Sequence, residues 1–307
     1  MTQTKIFGHQ NPDTDTITSA IVAADIESKL GNDVKSYRLG EVNPETQYAL
    51  DEFGVSSPEY LETLEAGTPV ILVDHNEFQQ SAENIESAEI VKVFDHHRIS
   101  NFHTEGPLYY RAEPVGCTAT ILKKVYEENS LEISREMAGL MLSAIISDTL
   151  LFKSPTTTKE DEAAAEALQK IADVDIESFG LAMLKAGAST SDKSAEELIT
   201  GDAKSFDMGG STTRIAQVNV VDVDEVFERK AELEEAIRAQ IESEGYGLFV
   251  LVVTDIINSN SKILALGENS SSIEKAFDVA LDENSAVLEG VVSRKKQVVP
   301  QITKALS

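Results

Sequence analysis

The 307-residue chain is long enough for two domains, and its 41% apolar and 26% charged residues are ordinary for a globular protein. A net charge of −27 argues against a nucleic-acid partner but not against divalent cations, and no run approaches the ~18–20 apolar residues of a membrane span. One cysteine, Cys117, excludes an internal disulfide and a cysteine-based zinc cluster; no basic-then-apolar leader is evident, so a cytoplasmic protein is expected.

Strand-like apolar runs fall at about 4–7, 34–39, 70–74 and 90–94, with helical patterns between them. "TDTITSAIVAADIESKLG" has helical spacing and stops at Gly31, and "NPETQYALDEFG" offers an Asn cap, a proline at the first helical position and a closing Gly54. "PVILV" and "IVKVF" are apolar throughout, as strands buried on both sides are. This alternation predicts an α/β domain over 1–188, a mostly parallel sheet with helices on both faces. From about 116 the chain turns helical, in "GCTATILKKVYEEN", "SREMAGLMLSAIISDTLLF" and "TKEDEAAAEALQKIA". The small, polar stretch "AGASTSDKS" marks a linker, set at 189–194, and "SAEE" reads as a capping box opening the next helix. Residues 195–307 predict a smaller α/β domain with a mixed sheet. Its strands are "RIAQVNVV", "LFVLVVTDI", "KILALG" and "SAVLEGVV", with a long helix over 224–245 and another near 273–281.

Four places in the first domain carry chemistry: His9 with Asp13 and Asp15; Asp74; Asp95 with His96 and His97; and Asp148. Three follow strands, where parallel α/β sheets bind ligands. The fourth lies on an otherwise apolar helix, where an ionised carboxylate needs a cation or strong donors. Taken singly, each has a structural reading: the first as a capped loop, Asp74 as a turn residue, "DHH" as a hydrogen-bonded loop. Together they favour a metal site, with donors suited to Mn²⁺, Co²⁺, Zn²⁺ or Mg²⁺. So many carboxylates exceed one divalent ion, and two ions sharing a carboxylate would balance them. His75 reads as structural, His103 as a surface loop residue and Cys117 as core.

The second domain offers cations. "SRKKQ" (293–297) follows an apolar strand, and "GDAKSF" sets Lys204 just after a helix ended by Gly201. A basic turn is commonly just solvated, but in so acidic a chain it also suits an anion site.

"GHQNPDTD", "VDHNE", "FDHHR", "IISDT" and "SRKKQVVP", in this order and spacing, resemble the manganese-dependent, family II inorganic pyrophosphatases of the DHH phosphoesterase superfamily. The resemblance implies that His9, Asp13 and Asp74 bind one metal, and that Asp15, Asp74, His96 and Asp148 bind a second. His97, Lys204, Arg294 and Lys295 would act on pyrophosphate held between the domains, and Asp95 would orient the histidine ligands. It further implies two Mn²⁺ per subunit (or Co²⁺), additional Mg²⁺ with the substrate, and a cytoplasmic homodimer paired through the first domain.

The rivals are other DHH phosphoesterases. An enzyme cleaving short oligonucleotides or nucleoside bisphosphates would carry a Gly-rich, His-containing late motif, whereas "MGGSTT" (208–213) has no histidine. A polyphosphate-trimming enzyme differs only in substrate length. A non-catalytic metal- or phosphate-binding regulator could do without His97 and the basic cluster, and both are present.

Overall fold

The computed structural model describes residues 3–306, which form two compact units, one up to Gly187 and one from Ala188. The first holds six strands, β1 (Thr4–Phe7), β2 (Val34–Arg38), β3 (Glu59–Tyr60), β4 (Pro69–Val73), β5 (Glu89–Asp95) and β6 (Tyr109–Ala112). Their order is β3-β2-β1-β4-β5-β6 and every neighbouring pair is parallel. The winding reverses between β1 and β4, which places a ligand crevice beyond the carboxyl ends of those two strands.

The helices of this unit are α1 (Thr14–Lys29), α2 (Pro44–Glu52), α3 (Thr118–Glu128), α4 (Arg135–Thr149), α5 (Lys159–Ala172) and α6 (Ile176–Ala188). Asp13, Asn43, Ser134 and Thr158 cap α1, α2, α4 and α5 by accepting a backbone N–H of the first turn. Side chains alternate between the faces of a strand. On one face Lys92 of β5 reaches Glu27 of α1, and α1 packs on α3 and α4. On the other, Phe7, Val70, Leu72 and Val93 pack with Leu61, Leu64, Ala82 and Ile85. That second face is covered by loops and by 3-10 turns at Phe78–Gln80 and Ile85–Ser87.

The second unit has five strands, β7 (Ala203–Met208), β8 (Ser211–Val220), β9 (Leu248–Asp255), β10 (Asn260–Leu266) and β11 (Ser285–Leu288). They lie in the order β11-β10-β9-β8-β7, with β8 and β9 parallel and the other pairs antiparallel, so the sheet is mixed as expected. Helices α7 (Ala195–Thr200), α8 (Val223–Phe227) and α9 (Lys230–Glu244) accompany one cluster, Phe249, Leu251 and Val253 with Leu198, Leu233 and Ile237. Helices α10 (Ser272–Phe277) and α11 (Val299–Leu306) accompany another, Leu248, Val250 and Val252 with Ile273 and Ile302. The capping box at α7 is complete, Ser194 and Glu197 each accepting the other's backbone N–H.

Several elements depart from the sequence expectation. The long helix over 224–245 is two helices, because Arg229 leaves the helical conformation (φ −97°, ψ 17°) and bonds Glu232 and the Lys193 carbonyl. Helix α10 stops at Phe277, where Asp278 turns left-handed at φ 55°. The last strand ends at Leu288, and Gly290 (φ 68°) turns the chain away. "SRKKQ" therefore does not follow a strand directly: Ser293 caps a π-helical turn, Arg294–Val298, that runs into α11. Strands β3, β6 and β7 and helices α6 and α11 lie outside the predicted elements.

Candidate metal centre

The crevice at the sheet's switch point collects the predicted residues from four chain segments. His9 lies two residues beyond β1, where Gly8 leaves no room for a side chain: a Cβ there would sit 2.4 Å from Thr16 Cγ2. Asp13 is the N-cap of α1 and Asp15 lies in its first turn. Asp74 directly follows β4 with φ 58°, and its N–H still bonds the Phe94 carbonyl at 2.9 Å. A left-handed backbone is uncommon for residues other than Gly, Asn and Asp, and it turns this carboxylate out of the strand direction. His96 follows β5, and Asp148 sits in the last turn of α4.

The side chains converge. His9 Nε2 lies 3.6 Å from Asp13 Oδ2 and 3.5 Å from Asp74 Oδ2. His96 Nε2 lies 3.3 Å from Asp74 Oδ1 and 3.7 Å from Asp148 Oδ2. Two donor triplets, His9–Asp13–Asp74 and Asp15–His96–Asp148, each have their ligand atoms within 4.8 Å of one another, as does Asp74–His96–His97. Asp74 thus belongs to two groups and touches both imidazoles. Asp15 and Asp74 are buried, at 0% and 2% exposure.

Electrostatics show what the arrangement lacks. Burial, with the nearby Asp74 charge, pushes Asp15 up to about 7. Burial, Asp15 and Asp74 together hold Asp148 well above the usual carboxylate range. Burial also opposes ionisation of Asp74, but His9 and His96 outweigh it and keep that carboxyl below its ordinary value. Burial pulls His9 down, yet Asp13 and Asp74 lift it to about 10; His96 is lifted to about 9 against its own burial, by Asp74 and Asp15. Protons are therefore retained on groups that would release them to a cation.

Neutral donors fix the carboxylates. Asp15 Oδ1 accepts from Ser19 Oγ at 2.6 Å and Oδ2 from Thr118 N at 2.7 Å. Asp74 Oδ2 accepts from Thr16 Oγ1 at 2.6 Å and Oδ1 from Thr118 Oγ1 at 3.2 Å. His96 Nδ1 donates to the Val115 carbonyl at 3.1 Å, so Nε2 is the nitrogen that faces Asp74 and Asp148 and would give up its proton to a cation. Sequence reading missed Thr16, Thr118 and Val115, because an ordinary hydroxyl or carbonyl carries no signal of its own.

The expected role of Asp95 changes. The resemblance has it orient the histidine ligands, whereas in the structure it bonds His97: its Oδ1 accepts from His97 N at 3.0 Å and Nδ1 at 2.9 Å. Its Oδ2 accepts from Asn76 Nδ2 at 2.6 Å. The short side chain reaches the residue two positions on, in a local Asx turn, while the adjacent His96 bonds the Val115 carbonyl instead. The Asp95 hydrogen bond raises His97, against burial. His75 is buried and bonds the Val73 carbonyl and Ser81 Oγ, both at 2.9 Å; His103 is exposed beside the Phe78 ring; Cys117 is fully buried.

In the second unit Lys204 lies on β7 and pairs in register with Ile215 of β8. The Arg294 guanidinium reaches over the same strands. Its Nη2 bonds Asp202 Oδ1 at 2.7 Å, and Nη1 bonds the carbonyls of Asp202 at 2.5 Å and Ile215 at 3.4 Å. Lys204 and Lys295 are exposed.

The DHH family, N-terminal domain model matches residues 3–145 and the DHHA2 domain model matches residues 181–305. A Staphylococcus epidermidis protein named "Probable manganese-dependent inorganic pyrophosphatase" is 64% identical over 308 residues, spanning all of both chains. The chain belongs to the manganese-dependent, family II inorganic pyrophosphatases. A Staphylococcus saprophyticus family member is 63% identical, again over the full length of both. A solved Methanococcus jannaschii structure described as a "putative family II inorganic pyrophosphatase" shares 42% identity over 99% of both chains, with a TM-score of 0.62. A Bacteroides fragilis exopolyphosphatase-related protein, at 14% identity and a TM-score of 0.52 over 99% of this chain and 91% of its own, shares the fold.

Proposed function

We infer that this chain is a metal-dependent hydrolase that cleaves inorganic pyrophosphate to two phosphates. The observation that carries the reading is the convergence of four carboxylates and two imidazoles at the switch point of the parallel sheet, in a chain whose family hydrolyses this substrate.

The residues present fit metal ions. Oxygen and imidazole-nitrogen donors suit Mn²⁺. Among the described residues the ion pairs of Asp13, Asp74 and Asp148 are with histidines, so these carboxylates gather without a lysine or arginine against them. His9, Asp13 and Asp74 would hold one Mn²⁺, and Asp15, Asp74, His96 and Asp148 a second; Co²⁺ suits the same donors, and Mg²⁺ would accompany the substrate. Such ions, when bound, activate water and polarise phosphoryl oxygens.

The chain's own groups supply the rest. Thr16 and Thr118 bond separate oxygens of Asp74 and hold that carboxylate between the two donor groups. Asp95 takes the Nδ1–H of His97, which leaves Nε2 to carry a proton toward the departing phosphate, and it favours the protonated ring needed for that transfer. Lys204, Arg294 and Lys295 would neutralise phosphoryl oxygens, Arg294 by exchanging Asp202 for phosphate at its planar fork and the lysines as point charges. We further propose a cytoplasmic homodimer paired through the first unit.

The test is phosphate release by the protein stripped of metal and resupplied with Mn²⁺ or Mg²⁺. Pyrophosphate, long-chain polyphosphate and a short oligonucleotide are compared. Mn²⁺-stimulated release from pyrophosphate alone is expected. Preference for either other substrate would transfer the site to another branch of the superfamily.

A further inference from the structure

One short segment behind the centre touches three of the groups assigned to metal. The Val115 carbonyl takes the Nδ1–H of His96, Thr118 N bonds Asp15 Oδ2, and Thr118 Oγ1 bonds Asp74 Oδ1. These contacts fix the direction of one imidazole and two carboxylates. What holds the segment itself is a carboxylate from another helix. Asp161, in the first turn of α5, is fully buried. Its Oδ2 accepts from Gly116 N at 2.9 Å and its Oδ1 from Thr120 Oγ1 at 2.7 Å. Those two residues bracket Thr118. The remaining bonds to Oδ2 come from its own helix start, Thr158 N at 2.8 Å and Thr158 Oγ1 at 2.7 Å. Space is tight: a Cβ on Gly116 would lie 2.7 Å from Asp161 Oδ2 and 3.2 Å from Thr149 Cγ2.

We propose that Asp161 is a positioning residue for the metal centre, clamping residues 115–118 so that Val115 and Thr118 present His96, Asp15 and Asp74 to the ions. The inference rests on the ligand assignment above. Asp161 contacts no ligand. It acts through one layer of backbone, and groups behind metal ligands typically account for roughly 10–100-fold in metal affinity. Its geometry asks for two acceptor positions, not for charge. An Asn at 161 can keep its carbonyl oxygen at the Oδ2 position and donate its amide to Thr120 Oγ1, since a hydroxyl also accepts.

The experiment is a Mn²⁺ titration of metal-stripped full-length protein without substrate, read by the electron paramagnetic resonance of free Mn²⁺. It is paired with the ¹⁵N chemical shifts of the His96 ring in the metal-free state. Asp161→Ala is expected to weaken Mn²⁺ binding roughly 10–100-fold and to shift the His96 Nδ1 resonance as its hydrogen bond to the Val115 carbonyl loosens. Asp161→Asn is expected to stay within about threefold of the parent on the same argument. Parent-like Mn²⁺ affinity and His96 shifts in Asp161→Ala, with only the melting temperature lowered, would reduce Asp161 to a cap of α5 and overturn the proposal. If Asp161→Ala does not fold, Thr120→Val removes the Oδ1 bond alone. It should still weaken Mn²⁺ severalfold, and no change would count against the clamp. His96→Gln, run alongside, separates the two readings: unchanged Mn²⁺ binding there would sink the ligand assignment, whatever Asp161 does.

Discussion

The two charged regions of the molecule are organised in opposite ways. In the first unit Asp15, Asp74 and Asp148 gather in one place, held by three hydroxyls, the Thr118 backbone N–H and two imidazoles. In the second, the cation Arg294 has its fork satisfied by Asp202, and the lysines lie open to solvent. One region holds its carboxylates in place with rigid donors and retained protons that a cation would replace. The other is balanced locally and solvated. A site built the first way binds its cations as part of its own architecture; a site built the second way engages a transient anion with little rearrangement of the core. Mutations should separate metal binding from turnover along this line.

The largest expected effect is at Asp74, which the proposed function assigns to both ions. Asp74→Asn should lower phosphate release by about 10³ or more and weaken Mn²⁺ binding in the same titration; full metal content with undiminished turnover would remove it from the centre. Asp148→Asn and His96→Gln should likewise lose metal and activity together. Arg294→Ala is expected to cut kcat by ~10²–10³ while its Mn²⁺ titration overlays the parent, and parallel loss of metal would erase the contrast between the two regions.

The pH dependence of the metal-free protein comes next. Asp15 is held at about 7, and His9 and His96 at about 10 and 9, all above their ordinary values. Between about pH 6.5 and about pH 10 these groups hold protons in the folded state that the unfolded chain has lost, Asp15 contributing up to about pH 7. These groups stabilise fully below their unfolded values and lose that contribution as pH rises through the folded ones. The melting temperature without metal should fall across this window, measured by calorimetry, and saturating Mn²⁺ should flatten or reverse the trend, since the ion replaces those protons. A metal-free melting temperature that climbs over the window would contradict the charge excess. The smallest effect belongs to Ser194→Ala, which removes the two bonds its hydroxyl makes with Glu197 at the start of α7. It should cost about 1 kcal/mol in denaturant unfolding and leave both Mn²⁺ binding and turnover intact.

Much of this was legible in the sequence because each residue carried a local signature. Asp13 and Asn43 read as helix caps, "PVILV" as a buried strand, and histidines after strands as crevice residues. Asp148 stood out as an acid in an apolar helix. The residues that orient the ligands were illegible for the converse reason: Val115, Thr118 and Asp161 matter through where the fold puts them, from positions over 40 residues apart in the case of Gly116 and Asp161. Strand β7 was missed because its residues are largely polar and half exposed, as on a sheet edge. Helix α11 was hidden because its start is set by Ser293 and the π-helical turn rather than by apolar periodicity.

The left-handed backbone of Asp74 has a consequence for sequence variation. At φ 58° a β-branched or bulky residue is strained whatever its chemistry, so the position tolerates little beyond Asp, Asn and Gly on conformational grounds alone. Charge then selects within that short set. A saturation library at codon 74 would split into two nested classes, a few residues compatible with a folded chain and, inside them, aspartate as the one that also supplies the shared carboxylate.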